Sequence, residues 1–416
     1  MNNKNVLDEI FERFISDSKI FKDREVLRHD YIPERLPHRE EQIKRLGETV
    51  APVLKGARCS NIFIYGKTGT GKTAVTKYVL QHLEGKAKEF NAAVKFCYVN
   101  CRIAGTEYRV LSSMCRAIGV SVPFTGLAVG EVFDRLKNGL DTCKMLFITV
   151  LDEVDALTKV RGDTLLYELT RVNENLSRSK VSLIGISNDL RLKEFLDPRV
   201  LSSLSEEEIV FRPYNANELK NILFERAQLA FQAGALSDGA LSLCAALAAA
   251  EHGDARRALD LLRVAGEVAE REGAKVVVEE HVRKAERKIE RNRVAEALQD
   301  LTLHSKLVIF SVYHLNRKKI FKSTTGEIYE VYSELCGELG IVPLTQRRVS
   351  TILNELDSIG LLNAKVVSMG RYGRTKKTRL AVPRSIIREV FSNDNRFGSL
   401  VSYEPKCLKK DTYSWS

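Results

Sequence analysis

Gly66-Lys67-Thr68-Gly69-Thr70-Gly71-Lys72-Thr73 is a stretch whose residue types and spacing suit one chemistry. Three glycines in a short loop let successive backbone N–H groups turn inward toward an anion. A helix starting directly behind them adds the positive end of its dipole. Lys72 is then placed to reach β- and γ-phosphates, and the Thr73 hydroxyl to ligate Mg²⁺. The setting matters as much as the letters. Ile62 to Tyr65 reads as a buried strand and Ala74 to Leu83 has helical spacing, so the loop joins a strand to a helix. The stretch from Gly66 to Ala74 is expected to cradle ATP or ADP.

A second apolar run, Met145 to Leu151, ends in Asp152-Glu153. A carboxylate directly after a buried strand is placed to hold Mg²⁺ through its hydration shell. The acid beside it can polarise an attacking water. Thr73 and Asp152 are therefore the expected metal residues, and Lys72, Asp152 and Glu153 the expected catalytic ones. Asn188 follows the next buried run, Val181 to Ile186. If the two strands are neighbours its amide lies beside Asp152; otherwise it caps its own strand in an Asx turn. Gly253-Asp254-Ala255-Arg256-Arg257 opens a helix with Asp254 as N-cap. Arg256 stands on the flank of the apolar face of Ala255, Leu259 and Leu262, whereas Arg257 points further out. Arg256 is thus either an arginine that folds over bound phosphates or a solvated helix residue.

The elements that must position these groups follow from the rest of the chain. At 416 residues, two to four domains are expected. A 44% apolar content supplies real cores, and a net charge of +11 favours a polyanionic partner, nucleic acid before membrane. No apolar run approaches the roughly 20 residues that span a bilayer, and the charged start, MNNKNVLDEIFERF, lacks a signal-peptide core. A soluble, intracellular protein is expected. The eight cysteines are scattered, with no second pair beside Cys97 and Cys101 to complete a zinc site, and read as buried free thiols.

Residues 1 to about 20 read as an amphipathic helix or a loosely held arm. Pro33 and Pro37 break the segment from Ile20 to Arg39. From Asn61 to Tyr214 strands and helices alternate, which predicts an α/β P-loop domain over 21–214 with a parallel sheet and flanking helices. Helical patterns alone fill 215–298, an all-α lid and a connecting helix. Three helix-like segments and two β-like ones follow over 299–391, and 392–416 reads as a loosely ordered tail. In that C-terminal module Thr345 caps a helix that Gly360 stops. Val349, Ile352, Leu353, Leu356 and Ile359 form its expected buried stripe. The opposite face and first turn carry Gln346, Arg347, Arg348, Ser350, Thr351 and Asn354, side chains suited to base edges in the major groove. Ala364 to Val367 and Arg379 to Val382 read as a hairpin around a basic turn holding Arg371, Tyr372, Arg374, Lys376 and Lys377. Three helices and a basic hairpin describe a winged helix whose wing meets phosphates or the minor groove. The competing reading is a solvated loop on a protein-docking module.

Together, the phosphate loop, Asp152-Glu153, Asn188 and the Gly253-Asp-Ala-Arg256 helix resemble an AAA+ ATPase. Finer features narrow this. They are the lead-in from Ile20 to Arg39, the Val122-Pro-Phe-Thr-Gly-Leu127 insertion, Leu196-Asp-Pro-Arg-Val200 and the C-terminal module. They resemble the archaeal replication initiators related to the origin recognition complex and its cell-division-cycle loader. The resemblance implies that Tyr31, Ile32, Pro37 and Arg39 line the adenine pocket, with Tyr214 and Arg226 also at the nucleotide. It makes Asn188 sensor 1 and Arg256 sensor 2, and sets Phe124, Thr125, Gly126 and Leu127 on double-stranded origin DNA. Many AAA+ proteins carry a Ser-Arg arginine finger before the last strand; this chain has Ser202-Ser203, with Arg199 upstream. Slow hydrolysis and an ATP/ADP switch are therefore expected. The implied partners are a replicative helicase of the minichromosome maintenance type and further initiator copies on DNA, and the implied location is cytoplasmic and chromosome-associated. An ATP-gated winged-helix transcription regulator and a clamp-loader-like assembly subunit are the alternatives. The basic wing opposes the clamp loader, but nothing in the residues separates an origin from a promoter.

Overall fold

The computed structural model describes residues 18–368 and 374–408. The chain divides into two compact units, Met1–Ala285 and Glu286–Ser416. Among the described residues no helix is long and apolar enough to cross a membrane.

In the first unit, α1 (Glu40–Val50) precedes β1 (Ile62–Gly66), and α2 (Lys72–Glu89) leaves the phosphate loop. Then come β2 (Val94–Asn100), α3 (Cys101–Ala104), α4 (Glu107–Ala117), α5 (Val129–Cys143) and β3 (Leu146–Asp152). The domain is completed by α6 (Val154–Arg161), α7 (Thr164–Arg171), β4 (Lys180–Ser187), α8 (Pro198–Leu204) and β5 (Glu207–Phe211). The strands pair in parallel in the order β2-β3-β4-β1-β5. Helices cover both faces, which is why β3 and β4 read as continuous apolar runs rather than alternating ones. Along β1 the alternation is still visible. Phe63 belongs to the core on the face that α4, α5 and α8 cover, while Ile62 and Ile64 belong to the core on the other face, with Leu46 of α1 and Val75 and Val79 of α2. The order puts β4 between β1 and β3, so the phosphate loop, Asp152 and Asn188 all leave the carboxyl edge of the sheet, where parallel sheets bind ligands.

The short helices α3, α6 and α8 have no counterpart in the sequence reading. Each is too brief to show a 3.6-residue period. Helix α7 ends at Arg171 and continues only as a 3₁₀ turn at Val172–Glu174.

The lid comprises α9 (Ala216–Ala230), α10 (Asp238–Ala250) and α11 (Ala255–Arg271). Asn215 and Glu218 form a capping box on α9, and Asp254 caps α11 through the Arg256 and Arg257 amides. Within the expected arm, residues 18–20 are not loose. Ile20 and Phe21 are buried, Phe21 bridges to Phe231, and the ring of Phe21 fills the space a Cβ on Gly266 would need.

Helix α12 (Glu279–Gln299) runs into the second unit, which holds α13 (Leu303–Arg317), β6 (Ser323–Thr324), α14 (Thr325–Glu338) and α15 (Gln346–Ser358). Strands β7 (Leu362–Ser368) and β8 (Arg374–Leu380) and helix α16 (Arg384–Ser392) complete it, and β6-β8-β7 form an antiparallel sheet. Three expectations need correcting here. The second hairpin strand begins at Arg374, not Arg379, because β6 and β7 both supply backbone partners to β8. Ile359 follows the last turn of α15 and is 55% exposed, outside the stripe of Val349, Ile352, Leu353 and Leu356. The tail is packed as far as Leu408. Phe397 and Leu400 are buried in the core of this unit, and Glu334 of α14 accepts bonds from the Tyr403 hydroxyl (2.6 Å) and the Cys407 amide (3.0 Å).

Candidate functional site: a phosphate cradle under a helical lid

Between the phosphate loop and the lid lies a cleft of about 540 Å³, walled by Gly69 to Ala74, Asp152, Glu153, Asn188, Tyr214, Arg226 and Arg256. Residues 29–37, Tyr31, Ile32 and Pro37 among them, close its apolar end with Ile222, Leu229 and Leu259. Gly69 (φ +68°) and Gly71 (φ +91°) take the left-handed conformations that aim the loop's amides, which β-carbon-bearing residues rarely adopt.

Lys72 is the first residue of α2, and its ammonium donates to the carbonyls of Gly66 (2.8 Å) and Lys67 (2.6 Å). Burial pushes its pKa down to about 8, against the pull of the Asp152 carboxylate. The Thr73 hydroxyl donates to Asp152 Oδ2 (2.8 Å), joining the two expected metal residues across β1 and β3. Tyr98 on β2 donates to the same oxygen (2.5 Å). Its own pKa is raised by burial and by that carboxylate. Glu153 sits at φ +53°, which turns its side chain out of the strand end. Asn100 Nδ2 (3.3 Å) and Arg102 (3.5 Å) meet its carboxylate. β4 is the sheet neighbour of β3, and Asn188 lines the same cleft as Asp152. Its backbone amide and the Ser187 hydroxyl both donate to Asp155 Oδ1 (3.1 Å each), which anchors the end of β4. Arg256 faces the cleft, whereas Arg257 is tied to Glu251 (2.9 Å).

Tyr98, Asn100, Arg102 and Asp155 escaped the sequence reading. The register Asn100↔Asp152 brings the first two to the site, and a register is invisible until the strand order is known. The carboxylate of Asp155 lies in the first turn of α6, a helix too short to be recognised.

Four residues expected at the nucleotide are not on the cleft wall. Gly66 lies beneath Phe211, whose carbonyl oxygen would be 2.3 Å from a Cβ there. Lys67 and Thr68 are exposed on the outer crest of the loop. Arg39 is buried behind the loop, where each of its three nitrogens donates to a carbonyl, of Thr70, His38 or Arg212. Arg226 reaches the wall but bonds Val26 O and Tyr31 O (3.0 Å each), holding the lead-in against α9. Arg199 forms a two-pronged pair with Asp197 (3.1 and 3.0 Å), and Ser203 lies one turn further along α8.

Of the residues expected on DNA, Phe124 is 80% exposed, as is Ile103 across a shallow pocket that Thr125 and Gly126 also line. Tyr108 holds this insertion through Pro123 O (2.6 Å), while Leu127 is half-buried against the core. On α15, Gln346, Arg347, Arg348 and Thr351 are exposed. Ser350 and Lys376 are not free for a ligand. The Lys376 ammonium donates to Ser350 O (3.0 Å), Ser350 Oγ (2.8 Å) and Asn354 Oδ1 (2.7 Å), tying the wing to the helix. Strand alternation explains this: Lys376 shares a face of β8 with the fully buried Thr378, and Lys377 takes the solvent face. Arg371 and Tyr372 lie outside the described residues, as does the side chain of Arg374.

Three protein families match in series: the AAA domain over 56–193, the Cdc6 AAA+ ATPase-type lid domain over 220–287 and the CDC6 C-terminal winged helix domain over 296–390. An ORC1-type DNA replication protein of Pyrococcus abyssi is 53% identical over 404 residues, 96% of each chain. One from Sulfurisphaera tokodaii is 52% identical over 396 residues, 95% of this chain and 98% of that one. The solved structure of the Aeropyrum pernix ORC1 protein in complex with DNA is 50% identical and superposes with a TM-score of 0.84, covering 92% of this chain and all of that one. With every domain matched in order and half the residues shared end to end, the chain belongs to the archaeal ORC1-type DNA replication proteins, AAA+ proteins with a winged helix.

Proposed function

We propose that this protein binds ATP and ADP, hydrolyses ATP slowly, and uses the bound state to control its grip on double-stranded DNA at replication origins. The hydrogen bond from Thr73 to Asp152 carries the nucleotide half of this reading, because it joins phosphate loop and acidic strand end in one cleft. The DNA half is supported by the exposed first turn of α15 and by the half-identical Aeropyrum protein, whose structure is of a DNA complex.

The donor set fits Mg²⁺: a hydroxyl and a carboxylate oxygen 2.8 Å apart, both on the cleft wall. When bound there, the ion would neutralise phosphate charge. Lys72 turns its ammonium from the loop carbonyls to the β- and γ-phosphates. Glu153 orients a water for in-line attack on the γ-phosphorus and takes its proton as the bond to the ADP oxygen breaks. Asn188 and Arg256 meet the γ-phosphoryl oxygens from the sheet and the lid. Tyr31, Ile32 and Pro37 hold the base, and Arg226 keeps them in place. With serines at 202 and 203 where an arginine finger would stand, turnover is slow, which suits a switch rather than a motor.

On this reading the nucleotide domain spans 21–214, the lid and connecting helix 215–298 and the winged helix 299–391. The protein works on the chromosome in the cytoplasm, alone or beside further copies, and supports loading of a minichromosome maintenance-type helicase. The test is ATP affinity and turnover for three proteins. Lys72→Ala should lose tight binding while staying folded, and Glu153→Gln should bind as wild type but stall. Equal affinity for wild type and Lys72→Ala would overturn the nucleotide reading.

A further inference from the structure

Arg39 is a cation buried to 5% exposure, with no carboxylate paired to it among the described residues. Retaining such a charge is costly unless its donors are well used. Here Nε donates to Thr70 O of the phosphate loop (2.9 Å), one terminal nitrogen to His38 O (2.9 Å) and the other to Arg212 O at the exit of β5 (2.7 Å). The guanidinium also lies 3.7 Å from the centre of the Tyr214 ring. Only a planar, always-charged group with fixed donors makes all four contacts at once.

Tyr214 carries the connection onward. Its hydroxyl stands where a Cβ on Gly71 would come within 2.8 Å, and its carbonyl oxygen would be 2.3 Å from a Cβ on Gly253. Its backbone N–H donates to Gly253 O (3.2 Å). Gly253 precedes the cap of α11, the helix that bears Arg256. At the far side of the same contact the Ala255 amide donates to Gly69 O (3.1 Å), and the Asp254 carboxylate occupies the space a Cβ on Gly69 would take. Phosphate loop, sheet edge and lid helix are thus packed without slack around one stacked pair.

We infer that Arg39 and Tyr214 are positioning residues that set the phosphate loop and the Arg256-bearing helix in one register. Nucleotide affinity then depends on Arg39 although it does not reach the cleft. The inference rests on the nucleotide reading above.

The experiment measures ATP affinity and melting temperature for wild type, Arg39→Lys, Lys72→Ala and Leu136→Val. The last variant thins a core cluster separate from the one that holds α2, the helix leaving the loop. Lysine keeps the charge but cannot span three carbonyls and the ring. Arg39→Lys should bind ATP about tenfold more weakly or worse, equivalent to ~1.4 kcal/mol, at a temperature where it is fully folded. Leu136→Val should lower melting yet hold affinity within about twofold of wild type. With saturating ATP, amide exchange over residues 253–259 should slow in wild type and much less in Arg39→Lys. Wild-type affinity and protection in Arg39→Lys would overturn the inference, as would an equal affinity loss in Leu136→Val. If Arg39→Lys does not fold, Tyr214→Phe removes only the hydroxyl facing Gly71; unchanged ATP affinity there would overturn it instead. Lys72→Ala keeps the two readings apart. If it binds ATP as wild type does, the cleft assignment fails, whatever Arg39 does.

Discussion

Lys376 and Lys377 are adjacent lysines on the wing that the structure gives opposite tasks, and exchanging each for methionine separates them. Methionine keeps an unbranched apolar stem and removes the charge. For Lys376 the loss is three bonds to acceptors on α15, at 3.0, 2.8 and 2.7 Å. A hydrogen bond from a charged group contributes about 1.5–3 kcal/mol when sheltered. Lys376 is only half-buried, so solvent screening reduces the net loss to about 1–2 kcal/mol for the set. Melting of the winged-helix unit should therefore fall by several degrees, at roughly 4 °C or more per kcal/mol for a domain of this size. Its ammonium already faces protein, so Lys376→Met releases no DNA counterion. A plot of log affinity for duplex DNA against log salt keeps its slope. Lys377→Met should leave melting unchanged and flatten that slope by ~0.9, the value of one phosphate contact. Scanning calorimetry and a salt titration by fluorescence anisotropy read both quantities. A slope lowered by about one unit in Lys376→Met, with unchanged melting, would refute the assignment.

Three further outcomes follow from the same contacts. With Lys72 at about pKa 8, phosphate binding above that pH requires proton uptake, so ATP affinity should fall as pH rises from 8 to 10, by at most about tenfold per unit; isothermal titration at several pH values checks this, and a flat profile contradicts it. Arg347→Ala and Gln346→Ala should each cost about 1–3 kcal/mol on the preferred duplex, and Gln346→Ala should leave random duplex almost unaffected; an unchanged specific-to-random ratio in both would show that α15 does not read bases. Desolvation alone would raise the Glu334 pKa, but the Tyr403 hydroxyl and the Cys407 and Lys406 amides outweigh it and hold the group at about 2. A depressed carboxyl stabilises above its unfolded value near 4.5 and loses that stabilisation as pH falls toward 2, so Glu334→Gln should lower melting at pH 6 and the difference should vanish near pH 2.

The phosphate loop and the buried strands were legible because parallel strands covered on both faces are uninterrupted apolar runs, and because Lys72, Thr73 and Asp152 sit at the ends of such runs. The Asn188 expectation depended on strand order, and the placement of β4 beside β3 meets its condition. What stayed hidden was whatever depends on pairing across the sequence. Arg39 reads as one more basic residue of the lead-in until Thr70, Arg212 and Tyr214 are brought around it. Lys376 and Lys377 are indistinguishable in a basic run until β8 acquires a register and one of them faces α15. The order of the tail up to Leu408 was hidden because Phe397 and Leu400 are buried in the core of their unit and Tyr403 bonds Glu334 of α14, long-range contacts that no local period announces.

The central claim, an origin-binding initiator rather than a promoter-binding regulator, is tested most directly by crosslinking the protein to the chromosome in its own cells and sequencing the bound DNA alongside a map of replication start points. The account predicts a small number of strongly bound sites that coincide with those start points and weaken in cells carrying Arg347→Ala. Occupancy spread over many promoters, away from every replication start, would contradict it.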